Sequence, residues 1–325
     1  MAIRRAFRLL TDNFTNVFKL LLYRLVMGAL FIGLSYFILD LGLRSLLEGE
    51  EMKEVVTMAG KFFEALFSGD TSYLASFEEN FRAALTALGT AFFADIGSVI
   101  GSFVGVVMLY LIFRFLNGMA TFGMMGISYD RMSAFGRTSF SAAFFENLGR
   151  AVRYHLLYVP LSFIYDVLAL VFCWFFFFYT PSLAGEGTSV AGAFVGLSLT
   201  VAVYIVLQAV KLTFISSWMP YAVENKKVLA GLRDSFTLKG KFLRRFVSYL
   251  ISVYLMVVIN AVCGFCTLGS FLLITLPASA LYLLWLQLVL YYHENGRKYY
   301  LHARKVVGDA EDMPVESEID LDLES

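Results

Sequence analysis

Six apolar runs, at 20–41, 92–116, 155–179, 190–217, 246–263 and 268–292, constrain this chain more than anything else in it. Each is near the roughly 20 residues an α-helix needs to cross about 30 Å of hydrocarbon. A bilayer core offers the backbone no water to bond, so runs of this kind are expected to fold as helices. Composition agrees: 59% of the residues are hydrophobic and 16% charged, where soluble domains carry about 25% charged. The chain reads as an all-α polytopic membrane protein. Its six-span domain covers 1–308, with a helical insertion at 42–91 and an acidic tail at 309–325. The bases in MAIRRAFRLL precede an apolar run too long, and starting too late, for a signal peptide, so the first run is expected to be a retained span. Net charge is zero, which points to no nucleic-acid partner.

Bases between the runs predict orientation. Residues 1–19 carry Arg4, Arg5, Arg8 and Lys19, and the 117–154 connection carries Arg131, Arg137, Arg150 and Arg153. The 218–245 connection carries seven bases, whereas the connections at 180–189 and 264–267 carry none. The 42–91 stretch has four bases against eight acids. Positive charge stays inside, so both termini are expected in the cytoplasm.

A period emerges when the three basic connections are aligned. Asp12, Glu146 and Asp234 each stand seven residues before a base: Lys19, Arg153 and Lys241. An amphipathic turn precedes each acid and two apolar runs follow it, which reads as three repeats of interfacial helix plus hairpin. The clearest lead-in is 226–246, with Val228, Leu229, Leu232 and Phe236 at helical spacing and a break expected at Lys239-Gly240. Its candidate lipid contacts are Lys226, Lys227, Arg233, Lys241, Arg244 and Arg245. Topogenic bases on the inner leaflet explain the same residues without a dedicated ligand. In the insertion, the stripes running from Met52 to Leu66 and from Tyr73 to Leu88 predict an extracytosolic helical hairpin, read as a packing lid or a substrate-binding element.

Charges deep in a membrane are costly and therefore draw attention. Asp166 lies near the middle of the third run, and Gln208 and Lys211 lie in the inner half of the fourth. Three roles are open for Asp166: a charge pair with Lys211, a cation or proton site, or a protonated carboxyl bonded to its neighbours. Arg24 and Arg114 lie near span ends and can snorkel. Cys263 and Cys266 form a C-x-x-C between the last two runs, read as a tight turn or an exchanging dithiol. The histidines His155, His293 and His302 show no metal spacing, and no nucleotide, zinc-protease or hydrolase motif is present. No cofactor is expected. Gly97, Gly101 and Gly105 form a small-residue stripe suited to helix packing.

The stretch Trp218-Met219-Pro220-Tyr221-Ala222-Val223-Glu224-Asn225, followed by 229–240, resembles a broad bacterial superfamily of six-helix membrane proteins. It includes the membrane domain attached to some glycerophosphodiester phosphodiesterases. Gly231 and Thr237 depart from the lead-in helix typical of that group, and the 42–91 insertion and acidic tail lie outside its pattern. The resemblance implies a helical bundle in the bacterial plasma membrane. It brings no catalytic residues, because in the fused members chemistry belongs to a separate soluble barrel. The expected function is a non-enzymatic scaffold or accessory subunit for export or envelope maintenance. Transport or lipid handling near Asp166, Gln208 and Lys211 is the alternative, and thiol exchange through Cys263 and Cys266 is a more distant one. Expected partners are membrane lipids and proteins docking on the tail, which carries eight acids and no base and reads as disordered.

Overall fold

A computed structural model describes residues 2–68, 71–136, 138–183, 190–224, 227–236, 241–302 and 305–307. The break expected at Lys239-Gly240, the lipid contact expected at Lys226 and the tail at 309–325 lie outside the described residues. The elements are α1 (Ala2–Asp12), α2 (Thr15–Leu47), α3 (Glu50–Ser68), α4 (Thr71–Ala94), α5 (Ile96–Ala134), α6 (Phe140–Glu146) and α7 (Leu148–Leu183). Then come α8 (Val190–Lys211), a π-helical turn (Leu212–Ser216), α9 (Met219–Val223), α10 (Val228–Phe236), α11 (Phe242–Cys266) and α12 (Leu272–Glu294). A hairpin of β1 (Tyr299–His302) and β2 (Lys305–Val307) follows.

Among the described residues, six helical stretches are long and apolar enough to cross a bilayer. They are Thr15–Arg44, Ile96–Ala134, Leu148–Tyr179, Val195–Val223, Phe242–Cys266 and Leu272–Glu294. The expected 117–154 connection is therefore mostly helix. The α5 helix continues past Asn117 to Ala134, and α7 begins at Leu148. Glycines on this lower part of α5 serve close approach. A Cβ on Gly118 would strike the His155 imidazole, and one on Gly126 would come within 2.9 Å of Asn147 Nδ2. The expected stripe at Gly97, Gly101 and Gly105 is corrected: only Gly105 faces a neighbour, Ile38, while Gly97 and Gly101 face open space.

Contacts divide the chain into two units, one of 1–25 with 115–325 and one of Val26–Arg114. In the larger unit, α12 is the hub. Every residue at 284–293 is buried, as are the facing Trp218 and Tyr154, whose ring centroids lie 4.4 Å apart. The α1 helix buries Ala2, Ala6, Leu9 and Leu10, the apolar side of an amphipathic helix, and packs along α12. Tyr129 of α5, Tyr221 of α9 and Tyr299 of β1 pack around Tyr291 and Tyr292, Tyr221 and Tyr299 edge-on.

The elbows between short and long helices have a shared construction. Asn13 Nδ2 donates to Leu9 O at 2.8 Å, and Asn147 Nδ2 donates to Ala143 O at 2.7 Å. At Leu9 the amide takes a carbonyl of the ending helix, while the Asn13 backbone N–H goes to Leu10 O. At Ala143 it adds to the Asn147 backbone N–H, which donates to the same oxygen at 3.2 Å. Beyond α12, Gly296 takes φ +63°, a left-handed turn that glycine adopts without cost, and leads into β1. Tyr299, Leu301 and Val307 point the hairpin's apolar side inward, a small β addition to a helical chain.

In the second unit, the α2 and α5 segments touch through Phe31 edge-on to Tyr110 and Phe113. The α3–α4 hairpin is held by Phe62 against Phe77 at 4.4 Å, with Ala65 and Ala84 buried. A recess of about 510 Å³ on it is lined by charges of both signs, including Glu50, Glu54 and Lys61, with Tyr73.

Candidate functional site

The deep charges come together. Lys211, the last residue of α8, places Nζ 2.6 Å and 2.8 Å from the two Asp166 carboxylate oxygens on α7. Their side chains are 12% and 29% exposed, so each charge meets mainly the other rather than solvent. Tyr165 OH donates to Leu207 O at 2.7 Å and ties the same two helices. Gln208, one turn before Lys211, is half-buried beside them.

The π-turn begins at the residue after Lys211. A π-turn departs from the α-helical ladder and redirects carbonyls, and such turns gather at functional sites. Here carbonyls of the turn are captured by side chains, two of them from other helices. Arg245 Nη1 of α11 donates to Thr213 O at 3.4 Å, and Gln287 Nε2 of α12 donates to Ser216 O. Tyr158 OH of α7 meets Ser216 Oγ at 3.1 Å, and Trp218 Nε1 donates to Ile215 O at 2.6 Å. The turn is thereby bonded to α7, α11 and α12.

Arg245 then reaches the end of α12. Its Nε donates to Glu294 Oε1 at 2.8 Å, and its Nη2 to Glu294 Oε2. This corrects one expectation: Arg245 is only 3% exposed and faces Glu294 and the π-turn, not lipid phosphate. A forked guanidinium on a carboxylate is the strongest such pair, and the interior favours it over a lone charge. Lys241 Nζ donates to Glu294 O, and Arg244, though exposed, lies 3.4 Å from His293 Nδ1. Lys227 and Arg233 stay exposed.

Around the same helix end, Arg5 of α1 bonds His293 Nε2 at 3.0 Å, and His293 lies 3.3 Å from Tyr299 OH. Glu224 accepts from Tyr291 OH and from Arg297 Nη1. That hydrogen bond to Glu224 raises the Arg297 guanidinium above its ordinary value. Arg150 Nη1 donates to Val223 O at 2.6 Å. Chemically, the layer joins charges and carbonyls across helices.

Cys263 and Cys266 are both free, half-buried and exposed respectively, in the last turn of α11. Exchange dithiols instead open a helix. Among the described residues, no three His, Cys, Asp or Glu side chains gather as a metal set. The sequence reading missed Gln287, Glu224 and Glu294. A signal was available, because each is a polar side chain within or flanking an apolar run.

Fold and polar layer together define a class: a multi-pass helical membrane protein whose spans are tied by buried polar bonds. No protein-family model, curated protein or solved structure matches the chain.

Proposed function

We propose that the protein is a non-enzymatic scaffold or accessory subunit of the bacterial plasma membrane, serving export or envelope maintenance. On this reading its six spans are three repeats and both termini lie in the cytoplasm. The supporting observation is how the deep polar groups are used. Asp166, Lys211, Arg245, Glu294 and Gln287 bond helix to helix, as a rigid platform needs. Polar bonds are the natural glue between helices in lipid, where apolar contact alone gives no transfer advantage.

Support for the repeat comes from equivalent positions. Leu9, Ala143 and Gly231, each three residues before the aligned acid, are all buried. Asn13 and Asn147, each one residue after it, make the same bond to the carbonyl four residues back. The placement of bases supports cytoplasmic termini, which reporter fusions at either end would test. The likeness to the six-helix superfamily is part of the same proposal, as is docking of a cytoplasmic protein on the acidic tail.

Affinity purification of the full chain from its native membrane tests the reading. A protein that co-purifies with the wild type, and still does so with Asp166→Asn/Lys211→Met, supports a scaffold. A transported solute or lipid whose flux that variant abolishes, with fold and complex intact, would replace it.

Lipid handling is the second reading, favoured by one observation. A groove of about 510 Å³ between α8 and α11 is lined by Ser198, Val201, Ala202, Ile205, Leu250 and Tyr254, suited to a hydrocarbon chain. Thiol exchange would be removed if Cys263→Ser/Cys266→Ser left every phenotype unchanged.

A further inference from the structure

The N-terminal helix presents a second face that the scaffold reading leaves unused. Its inner face is occupied, with Ala6 and Leu9 buried along α12 and Arg5 held by His293. These contacts fix the roll of the helix. Arg4, Phe7, Arg8 and Thr11, at helical spacing, therefore share the exposed side. Phe7 is 55% exposed between the two arginines. Among the described residues, neither the Arg4 nor the Arg8 guanidinium has a hydrogen-bond or ion-pair partner.

After the elbow at Asn13, the chain enters the first of the bilayer-length helices. Phe14 and Phe18 meet edge to face at 5.7 Å there, and both are exposed. Lys19 beside them is exposed too. Residues 1–25 contain five bases and a single acid, Asp12. Exposed phenyl rings at the start of a span are stable at the acyl boundary, and bases at that level reach lipid phosphates.

The geometry points to an anionic-phospholipid site at the α1–α2 elbow. Arg4, Arg8 and Lys19 take the negatively charged headgroup, and Phe7, Phe14 and Phe18 enter the acyl boundary. Two features select this occupant. A soluble phosphate would satisfy the bases but leave three phenyl rings in water. A zwitterionic lipid would cover the rings but bring no net charge for the bases.

The test titrates the full-length protein in detergent with phosphatidylglycerol, phosphatidylcholine and inorganic phosphate, read by native mass spectrometry. Phosphatidylglycerol is expected to bind about tenfold or more tighter than phosphatidylcholine at low ionic strength, since each base near an anionic surface contributes measurably. High salt should shrink that preference. Arg4→Gln/Arg8→Gln should abolish it, Arg4→Lys/Arg8→Lys should keep it, and Arg82→Gln on α4, an exposed base outside any proposed lipid contact, should leave it unchanged. Equal affinity for the two lipids overturns the site, and so does a wild-type preference in the glutamine pair. Inorganic phosphate that competes as tightly as phosphatidylglycerol overturns the lipid assignment. Should the glutamine pair aggregate, the wild-type chain at two salt concentrations carries the test alone, and a preference that salt does not weaken overturns the site.

Discussion

The most apolar 18-residue stretches of α2 and α12 have the same mean hydropathy, 1.9, yet half of the α12 stretch is buried and none of the α2 stretch is. In water the hydrophobic effect would drive both inward. In hydrocarbon it cannot choose between them, because a lipid tail is as apolar as leucine. The difference lies in the polar groups each helix offers. Along α12, Tyr282, Gln287, Tyr291, His293 and Glu294 each bond another element. Beyond its first turns α2 offers mainly apolar side chains, and Leu22, Leu30, Ile32 and Phe37 stand exposed. Hydropathy thus reports which segments tolerate lipid, and polar partners decide which of them lipid never touches.

The largest test of this contrast is Arg245→Met. It strands the Glu294 carboxylate in a buried site and is expected to cost about 3–5 kcal/mol. Adding Glu294→Gln should recover most of the loss in denaturant melts in detergent. Full stability in the single variant would show that the layer does not hold α12. Lys211→Met should cost less, about 2–3 kcal/mol, because Asp166 retains 29% exposure, and Asp166→Asn should offset it.

Glycines sharpen the contrast further. Gly118→Ala puts a methyl group into the His155 ring, with an expected loss of about 1–3 kcal/mol. Gly28→Ala on α2 meets nothing within 4 Å and should be neutral or gain up to about 1 kcal/mol of helix propensity. Thermal melts of both variants side by side check the pair, and equal shifts would erase the distinction between the two helices.

Much of this was legible before any coordinates. Six apolar runs are enough for six long helices, because lipid leaves the backbone no other arrangement. The Asp166–Lys211 contact could be sought because two deep charges lower their cost by meeting. Arg245 was misread for the opposite reason. It stands in an Arg244-Arg245 pair that looks topogenic, and consecutive residues on a helix point about 100° apart, so both cannot share one face. Which one turns inward depends on Glu294, 49 residues away. The continuation of α5 past Asn117 lies beyond the end of the apolar run, where His155, Phe144 and Asn147 rather than lipid stand against Gly118, Gly123 and Gly126. The π-turn at 212–216 is hard to read locally, since Trp218 takes up only one of its carbonyls and the side chains on two others come from α11 and α12.

The account rests on α12 being sealed from lipid while α2 faces it. Carbene photolabelling with a small apolar diazirine dissolved in the bilayer, applied to the wild-type chain in proteoliposomes and mapped by mass spectrometry, tests that without any substitution. Heavy insertion at Leu22, Leu30 and Phe37, with almost none over 284–290, is the predicted result. Comparable labelling of the two helices would contradict it.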